Sequence, residues 1–310
     1  MVLDMALTSR LLSAMRSVAE HTMRDLQRSQ TTQLMLSGKM LAGNIKFRTE
    51  IQSLHDVEFR VFSQFGDDGI IQWLTTHLNI PNKTFVEFGV EDYSESNTRF
   101  LLMNDNWTGL VIDGSEENIS SILRSDYYWQ HELTAKCAFI DRENINSLIS
   151  VPSMAPEIGI LSVDLDGNDY WVLESITAVS PGVLIVEYNC VFGVERPVTI
   201  PYDPSFRRAS AHHSNLYWGA SLRAFEQLCA KMGYAFVGCN SAGNNAYFVR
   251  REKLNGIVRE ISVEEGFVVS KFRDSRDAEG RLNYISGSDR LVQIRGLPVF
   301  NVETNQMEKI

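Results

Sequence analysis

Between about residues 60 and 250, short apolar runs alternate with stretches whose apolar residues recur every third or fourth position. The short runs, at 84–88, 108–113, 137–140, 159–164, 183–187, 235–239 and 246–250, read as strands. The stretches between them, at 67–78, 97–104, 117–124, 169–176 and 221–232, read as helices. Strands that are apolar on both faces belong to a sheet covered on both sides. The alternation predicts an α/β fold: a doubly wound, mostly parallel, seven-stranded sheet. Only Asn-Ser-Ala-Gly-Asn-Asn separates the last two runs, so they should form an antiparallel pair.

The flanks read differently. Near the start, Leu7, Leu11, Met15, Val18, Thr22 and Leu26 form one helical stripe, giving the fold an N-terminal helical extension. That helix either packs on its own domain or forms an arm that pairs with another subunit; a homo-oligomer through the N-terminal helices is the expectation carried forward. Residues 251–310 are more polar, with short strands expected at 291–294 and 299–302. The expected organisation is a helical arm over 1–55, a ligand-binding domain over 56–250 and a C-terminal extension over 251–310.

The strand ends carry the chemistry. The first run ends Glu87-Phe88-Gly89 in an acidic setting with Glu91 and Asp92. A glycine there permits close backbone approach, and ligands of open α/β sheets bind at the carboxyl ends of strands. The acidic surround repels a pyrophosphate and suits a ligand carrying positive charge and hydroxyls, as S-adenosylmethionine does. The second strand ends Asp113-Gly114-Ser115, and an acidic residue about 20 positions beyond the first strand is placed to hold ribose hydroxyls. The third offers Phe139 and Ile140 toward an adenine, the fourth Asp164-Leu-Asp166-Gly167-Asn168, and the fifth Glu187-Tyr188-Asn189.

Phe85-Val-Glu-Phe-Gly89, Ser96-Asn-Thr98, Gly109-Leu-Val-Ile-Asp-Gly114, Leu161-Ser-Val-Asp-Leu-Asp-Gly167 and Val186-Glu-Tyr-Asn189 together resemble class I S-adenosylmethionine-dependent methyltransferases, close to the FkbM-like group. Phe62-Ser-Gln-Phe-Gly-Asp-Asp-Gly69 belongs to the same resemblance, which spans about 58–250. It implies a Rossmann-like methyltransferase fold and O-methylation of a sugar or glycan hydroxyl. It implies that Glu87 and Gly89 line the methionine part of the cofactor and that Asp113 holds its ribose. Asn97 lies in the matched Ser96–Thr98 segment and is carried as a cofactor contact. Asp164 and Asp166 would face the methyl-transfer region. Ser63 or Gln64 would touch the cofactor from a flap; the bland reading of that segment is a helix cap by Asp67 or Asp68.

Asp164, Asp166, Glu187 and Asn189 form a hard-oxygen set that could take Mg²⁺ or Mn²⁺ and acidify a sugar hydroxyl. The alternative is that these groups only orient substrate and cofactor. His212 and His213, in a loop after the fifth strand, are candidate general bases. Tyr202, Tyr217 and Trp218 could wall a sugar or form a small core of their own. Asp164-x-Asp166 departs from a D-x-D-G-T nucleophile motif at Asn168 and from an EF-hand at Asp169 and Ser175. A metal-dependent nucleotide-sugar glycosyltransferase survives as a rival, as does a non-catalytic nucleotide-binding scaffold.

A formal net charge of −10 argues against nucleic acid as a partner, leaving a small-molecule or glycan acceptor. No apolar run is long enough to span a membrane, and no secretion signal is expected. Four cysteines without C-x-x-C spacing fit a reducing cytoplasm.

Overall fold

The computed structural model describes residues 2–152 and 154–310; the side chains of residues 2–14 and of 16, 17, 20, 24 and 27 lie outside it. The chain runs α1 (Val2–Ile45), α2 (Asp67–His77), β1 (Thr84–Phe88), α3 (Arg99–Asp105), β2 (Thr108–Asp113), α4 (Glu116–Arg124) and α5 (Asp126–Gln130). Then come β3 (Leu133–Cys137), α6 (Ile145–Ile149), β4 (Glu157–Val163), α7 (Asp169–Ser175), β5 (Ser180–Glu187) and β6 (Val198–Thr199). The remainder is α8 (Arg208–Ala211), α9 (Leu222–Lys231), β7 (Tyr234–Cys239), β8 (Asn245–Arg250), α10 (Val263–Gly266), α11 (Asp289–Gln293), β9 (Pro298–Asn301) and β10 (Gln306–Lys309).

Seven strands form one sheet in the order β3-β2-β1-β4-β5-β8-β7. All neighbours are parallel except around β8, which runs antiparallel to both β5 and β7. This mixed, mostly parallel order with a helical extension in front is the Rossmann-like methyltransferase architecture, as the apolar pattern and hairpin predicted. The interior strands are almost fully buried because helices cover both faces. One core holds Val86, Leu161, Leu184 and Phe248 against α7 and α9; the other holds Phe85, Val111, Ile160 and Tyr247 against α2 and α3. Strand order reverses between β1 and β4, and their carboxyl ends open a crevice at that point.

Two expected strands are corrected. The third lies at Leu133–Cys137, before the expected 137–140 run, because an edge strand needs only one buried face and its apolar signal is weak. Ala138 to Ile140 follow it as a loop. Residues 291–294 fall on α11 and its end, not on a strand; so short an apolar run fits a helical turn equally well. The strand expected at 299–302 is β9, which pairs with β10 and β6 in a small second sheet.

The final turns of α1 dock on the domain. A Cβ at Gly38 would sit 2.5 Å from Val61, so only glycine lets the helix approach this closely. Farther out, Met15, Val18 and Leu26 are exposed, while Leu7 and Leu11 lie outside the described side chains. Among the described residues, no helix is long and apolar enough to cross a membrane.

Candidate active site

A cavity of about 390 Å³ lies over the carboxyl ends of β1, β2, β4 and β5. Gln64, Glu87, Gly89, Asn97, Asp113, Gly114, Phe139, Ile140, Asp164, Asp166 and Glu187 all line it. These expected site residues come from the flap, the 96–98 loop and the ends of β1 to β5, and the topology brings them together.

Gly89 is forced by its neighbour strand. Its φ is +66°, and a Cβ there would lie 1.9 Å from the Asp164 carbonyl oxygen. The glycine thus lets the end of β1 press against the end of β4. Glu87 is buried, and both its carboxylate oxygens are occupied. They accept from the Asn97 and Thr98 N–H groups at 2.8 and 3.1 Å and from the Ser96 hydroxyl at 2.7 Å. The Thr98 hydroxyl donates as well. Glu87 therefore shapes the 96–98 loop from beneath. Asp113 accepts from the Glu91 N–H at 2.9 Å and the Ser115 N–H at 2.8 Å, which aims its carboxylate along the cavity rim. Ser115 itself caps α4 and does not line the cavity.

The flap is anchored by the two aspartates that follow it. Asp68 Oδ2 accepts from the N–H groups of Val61, Phe62 and Ser63 and from the Ser63 hydroxyl. Ser63 is consequently buried and does not line the cavity, whereas Gln64, the other expected flap contact, does. Asp67 binds Asn240, Asn245 and Tyr247 of the β7–β8 hairpin. Gly66, not either aspartate, occupies the cap position of α2. Burial pushes the Asp68 carboxyl up to about 6, against the opposing effect of its donors.

The fourth strand end is held by Asp169, which accepts from the Leu165 N–H at 2.6 Å and the Gly167 N–H at 2.9 Å. Asp166 takes a left-handed conformation (φ 51°) and pairs with Arg208 at 2.7 Å; Arg208 also pairs with Asp274 at 3.0 Å. Asp164, Asp166 and Glu187 can each bring one oxygen within 4.8 Å of the others. Burial and the neighbouring Asp166 charge push the Asp164 carboxyl well up; burial and the Asp164 charge do the same for Glu187. Glu187 Oε2 is buried with no hydrogen-bond partner. The Asn168 side-chain oxygen, also buried and lining the cavity, has none either.

Asn189, His212 and His213 stand apart from the carboxylates at this end of the site. Asn189 does not join the carboxylates: its amide donates to the Leu216 and Trp218 carbonyls, and its oxygen accepts from the Val191 N–H. The site loop does overhang the cavity, but it presents Phe206 and Arg208. His212 is tied to Ser214 at 2.8 Å and packs against His213, and neither histidine lines this cavity or the one beside it.

That adjoining cavity, about 470 Å³, shares Gln64, Glu187, Arg208 and Asn244 with the first. Trp218 lines it, while Tyr217 packs in a small core with Phe192 and Val198, and Tyr202 reaches Glu143. Its far wall comes from the C-terminal extension, which is fastened to the end of β5. The Tyr188 hydroxyl donates to the Val268 carbonyl at 2.6 Å, and the Ser270 N–H donates to Cys190 Sγ at 3.3 Å. Sequence reasoning missed Arg208, Asn244 and Asn245. The two asparagines lay in the segment read only as a turn, and Arg208 carried no local signal.

No protein-family model matches the chain, and no curated protein matches it. Among solved structures it is similar to an S-adenosylmethionine-dependent methyltransferase from Clostridium acetobutylicum ATCC 824 (11% identity, 59% of this chain, 89% of that one, TM-score 0.37). It is also similar to a Bacillus cereus O-methyltransferase in complex with SAH (13%, 71% and 89%, TM-score 0.37). A third likeness is to a putative caffeoyl-CoA O-methyltransferase from Staphylococcus aureus (16%, 59% and 82%, TM-score 0.37). At these scores the likenesses carry no argument about activity, which rests on the chemistry of the site.

Proposed function

We propose that the protein is an S-adenosylmethionine-dependent O-methyltransferase whose acceptor is a sugar or glycan hydroxyl. The observation that carries this reading is the half-buried Asp164–Glu187 carboxyl pair, set between an acidic cavity and a second, adjoining one.

The cofactor supplies a methyl group on a positively charged sulfur. Glu91, Glu95, Asp113 and Asp164 around the first cavity favour that charge and oppose a pyrophosphate, which weighs against the glycosyltransferase reading. In this reading Asp113 serves the ribose hydroxyls, Phe139 and Ile140 the adenine, and Gln64 and Asn97 the methionine end; all five line the cavity. The acceptor hydroxyl enters from the second cavity beside Glu187 and Arg208. Two carboxyls this close hold one proton between them, so the ionised member is a stronger base than an ordinary carboxylate. It takes the hydroxyl proton as the oxygen–carbon bond forms and the carbon–sulfur bond breaks. Positioning of oxygen against methyl carbon supplies most of the remaining acceleration.

A divalent cation is the second reading, favoured by the three converging carboxylates and the unpartnered Glu187 Oε2. Asp164, Asp166 and Glu187 would hold Mg²⁺ or Mn²⁺, which would supply acidification of a bound hydroxyl. A thermal-shift panel separates the readings. S-adenosylhomocysteine should stabilise the protein, and Mg²⁺ or Mn²⁺ should add to that shift only if the cation reading holds. Stabilisation by nucleotide diphosphate with Mn²⁺, and none by S-adenosylhomocysteine, would favour the glycosyltransferase.

The exposed Met15, Val18 and Leu26 on α1 support a homo-oligomer through this helix, testable by light scattering before and after deleting residues 2–30. Four free cysteines support a reducing, cytoplasmic setting.

A further inference from the structure

The second cavity is lined by basic groups as well as by the acids Glu187 and Asp274. Three arginines line it: Arg208, Arg273 and Arg290. Arg208 is matched by Asp166 and Asp274. Arg290 is 3% exposed, yet its guanidinium meets only neutral acceptors: the Ser270 hydroxyl at 2.8 Å, the Ser270 carbonyl at 3.0 Å and the Gly287 carbonyl at 3.4 Å. Arg273 donates to the Tyr284 carbonyl at 3.0 Å and lies over the Tyr284 ring. Among the described residues, neither Arg273 nor Arg290 has a carboxylate ion-pair partner. Burying a guanidinium without an anion is costly, and the planar fork suits bidentate binding of a carboxylate, sulfate or phosphate.

The cavity also has an aromatic wall. Phe65 of the flap stacks on Phe272 of the extension with centroids 5.0 Å apart, and Trp218 and Tyr284 complete an aromatic lining. Through Glu187 and Arg208 it opens onto the carboxyl pair.

Building on the methyltransferase reading, we propose that the acceptor is an anionic sugar. Its ring lies against the aromatic wall, its acidic group is held by Arg273 and Arg290, and a free hydroxyl is directed toward Asp164 and Glu187. The C-terminal extension is then the specificity element, since it supplies both unmatched arginines.

Calorimetric titrations of glucuronate, glucose 6-phosphate, glucose 6-sulfate and glucose, each with and without S-adenosylhomocysteine, test this. At least one acidic sugar should bind ten-fold or more tightly than glucose, and comparison of the three identifies which acidic group is preferred. Arg273→Gln should remove most of that preference while leaving S-adenosylhomocysteine affinity unchanged. Arg273 is exposed, so this variant should fold; Arg290→Lys, which keeps the charge but loses the fork, should weaken acidic-sugar binding less than Arg273→Gln. Equal binding of glucose and every acidic sugar, or full preference retained in Arg273→Gln, would overturn the proposal. Acidic-sugar binding without any S-adenosylhomocysteine binding would keep the anion subsite and sink the methyl-transfer reading instead.

Discussion

Glu87 and Glu187 both end strands of one sheet, both line the same cavity, and burial raises the pKa of both. Their surroundings differ. Glu87 receives donors from Ser96, Asn97 and Thr98 on both oxygens. Glu187 faces another carboxyl and has an oxygen with no partner. A buried charge whose hydrogen bonds are all made stabilises a local shape; one left incomplete is held for a ligand or a proton. The same contrast divides the other acids. Asp169 has both oxygens engaged in holding its loop, whereas Asp164 is set against like charge.

The widest separation of the two classes should come from Glu187→Gln and Asp164→Asn. Each should lower methyl transfer by about 10²–10⁴-fold in single-turnover assays. Stability by urea denaturation should stay within about 1 kcal/mol of wild type, since a like-charge contact is relieved. Glu87→Ala should do the reverse in kind. It strands the Asn97 and Thr98 N–H groups and two hydroxyls in a buried site, costing on the order of 3–5 kcal/mol in the same denaturation assay. If Glu87→Ala were as stable as wild type, the division would break.

The contrast follows from pieces legible in the sequence to unequal degrees. β1, β2, β4 and β5 were legible because strands buried on both faces leave unbroken apolar runs, and their acidic ends marked the crevice. The edge strand β3 was misplaced because only one of its faces is buried. Which groups meet each carboxyl was not legible: Glu87 takes donors about ten positions on, Asp67 from a hairpin far along the chain. Asn189 illustrates the same limit. It sits two positions after Glu187, but a loop at Leu216–Trp218 captures its amide. Arg208 became visible only through its ion pairs with Asp166 and Asp274.

A smaller effect concerns pH. Burial raises Asp68 and Asp169 to about 6, so each binds its proton more tightly folded than unfolded. Their stabilising contribution is complete below pH ~4, the unfolded value, and is lost as pH rises through about 6. Asp68→Asn removes one of these titrations. The stability of wild type relative to this variant should fall by on the order of 2 kcal/mol between pH 4 and pH 7. A flat difference would show that Asp68 stays ionised among its four donors. The least effect is expected at the rim: Asp113→Asn should weaken S-adenosylhomocysteine about ten-fold, or ~1.4 kcal/mol, with little change in folding.

The central claim is that the crevice at the ends of β1, β2, β4 and β5 is an S-adenosylmethionine site whose scaffold acids and reactive acids are distinct. Calorimetric titration of S-adenosylhomocysteine into wild type and Glu187→Gln tests it most directly. The account predicts one equivalent bound by both proteins with similar affinity, because Glu187 serves the acceptor side. No binding to well-folded wild-type protein would contradict it.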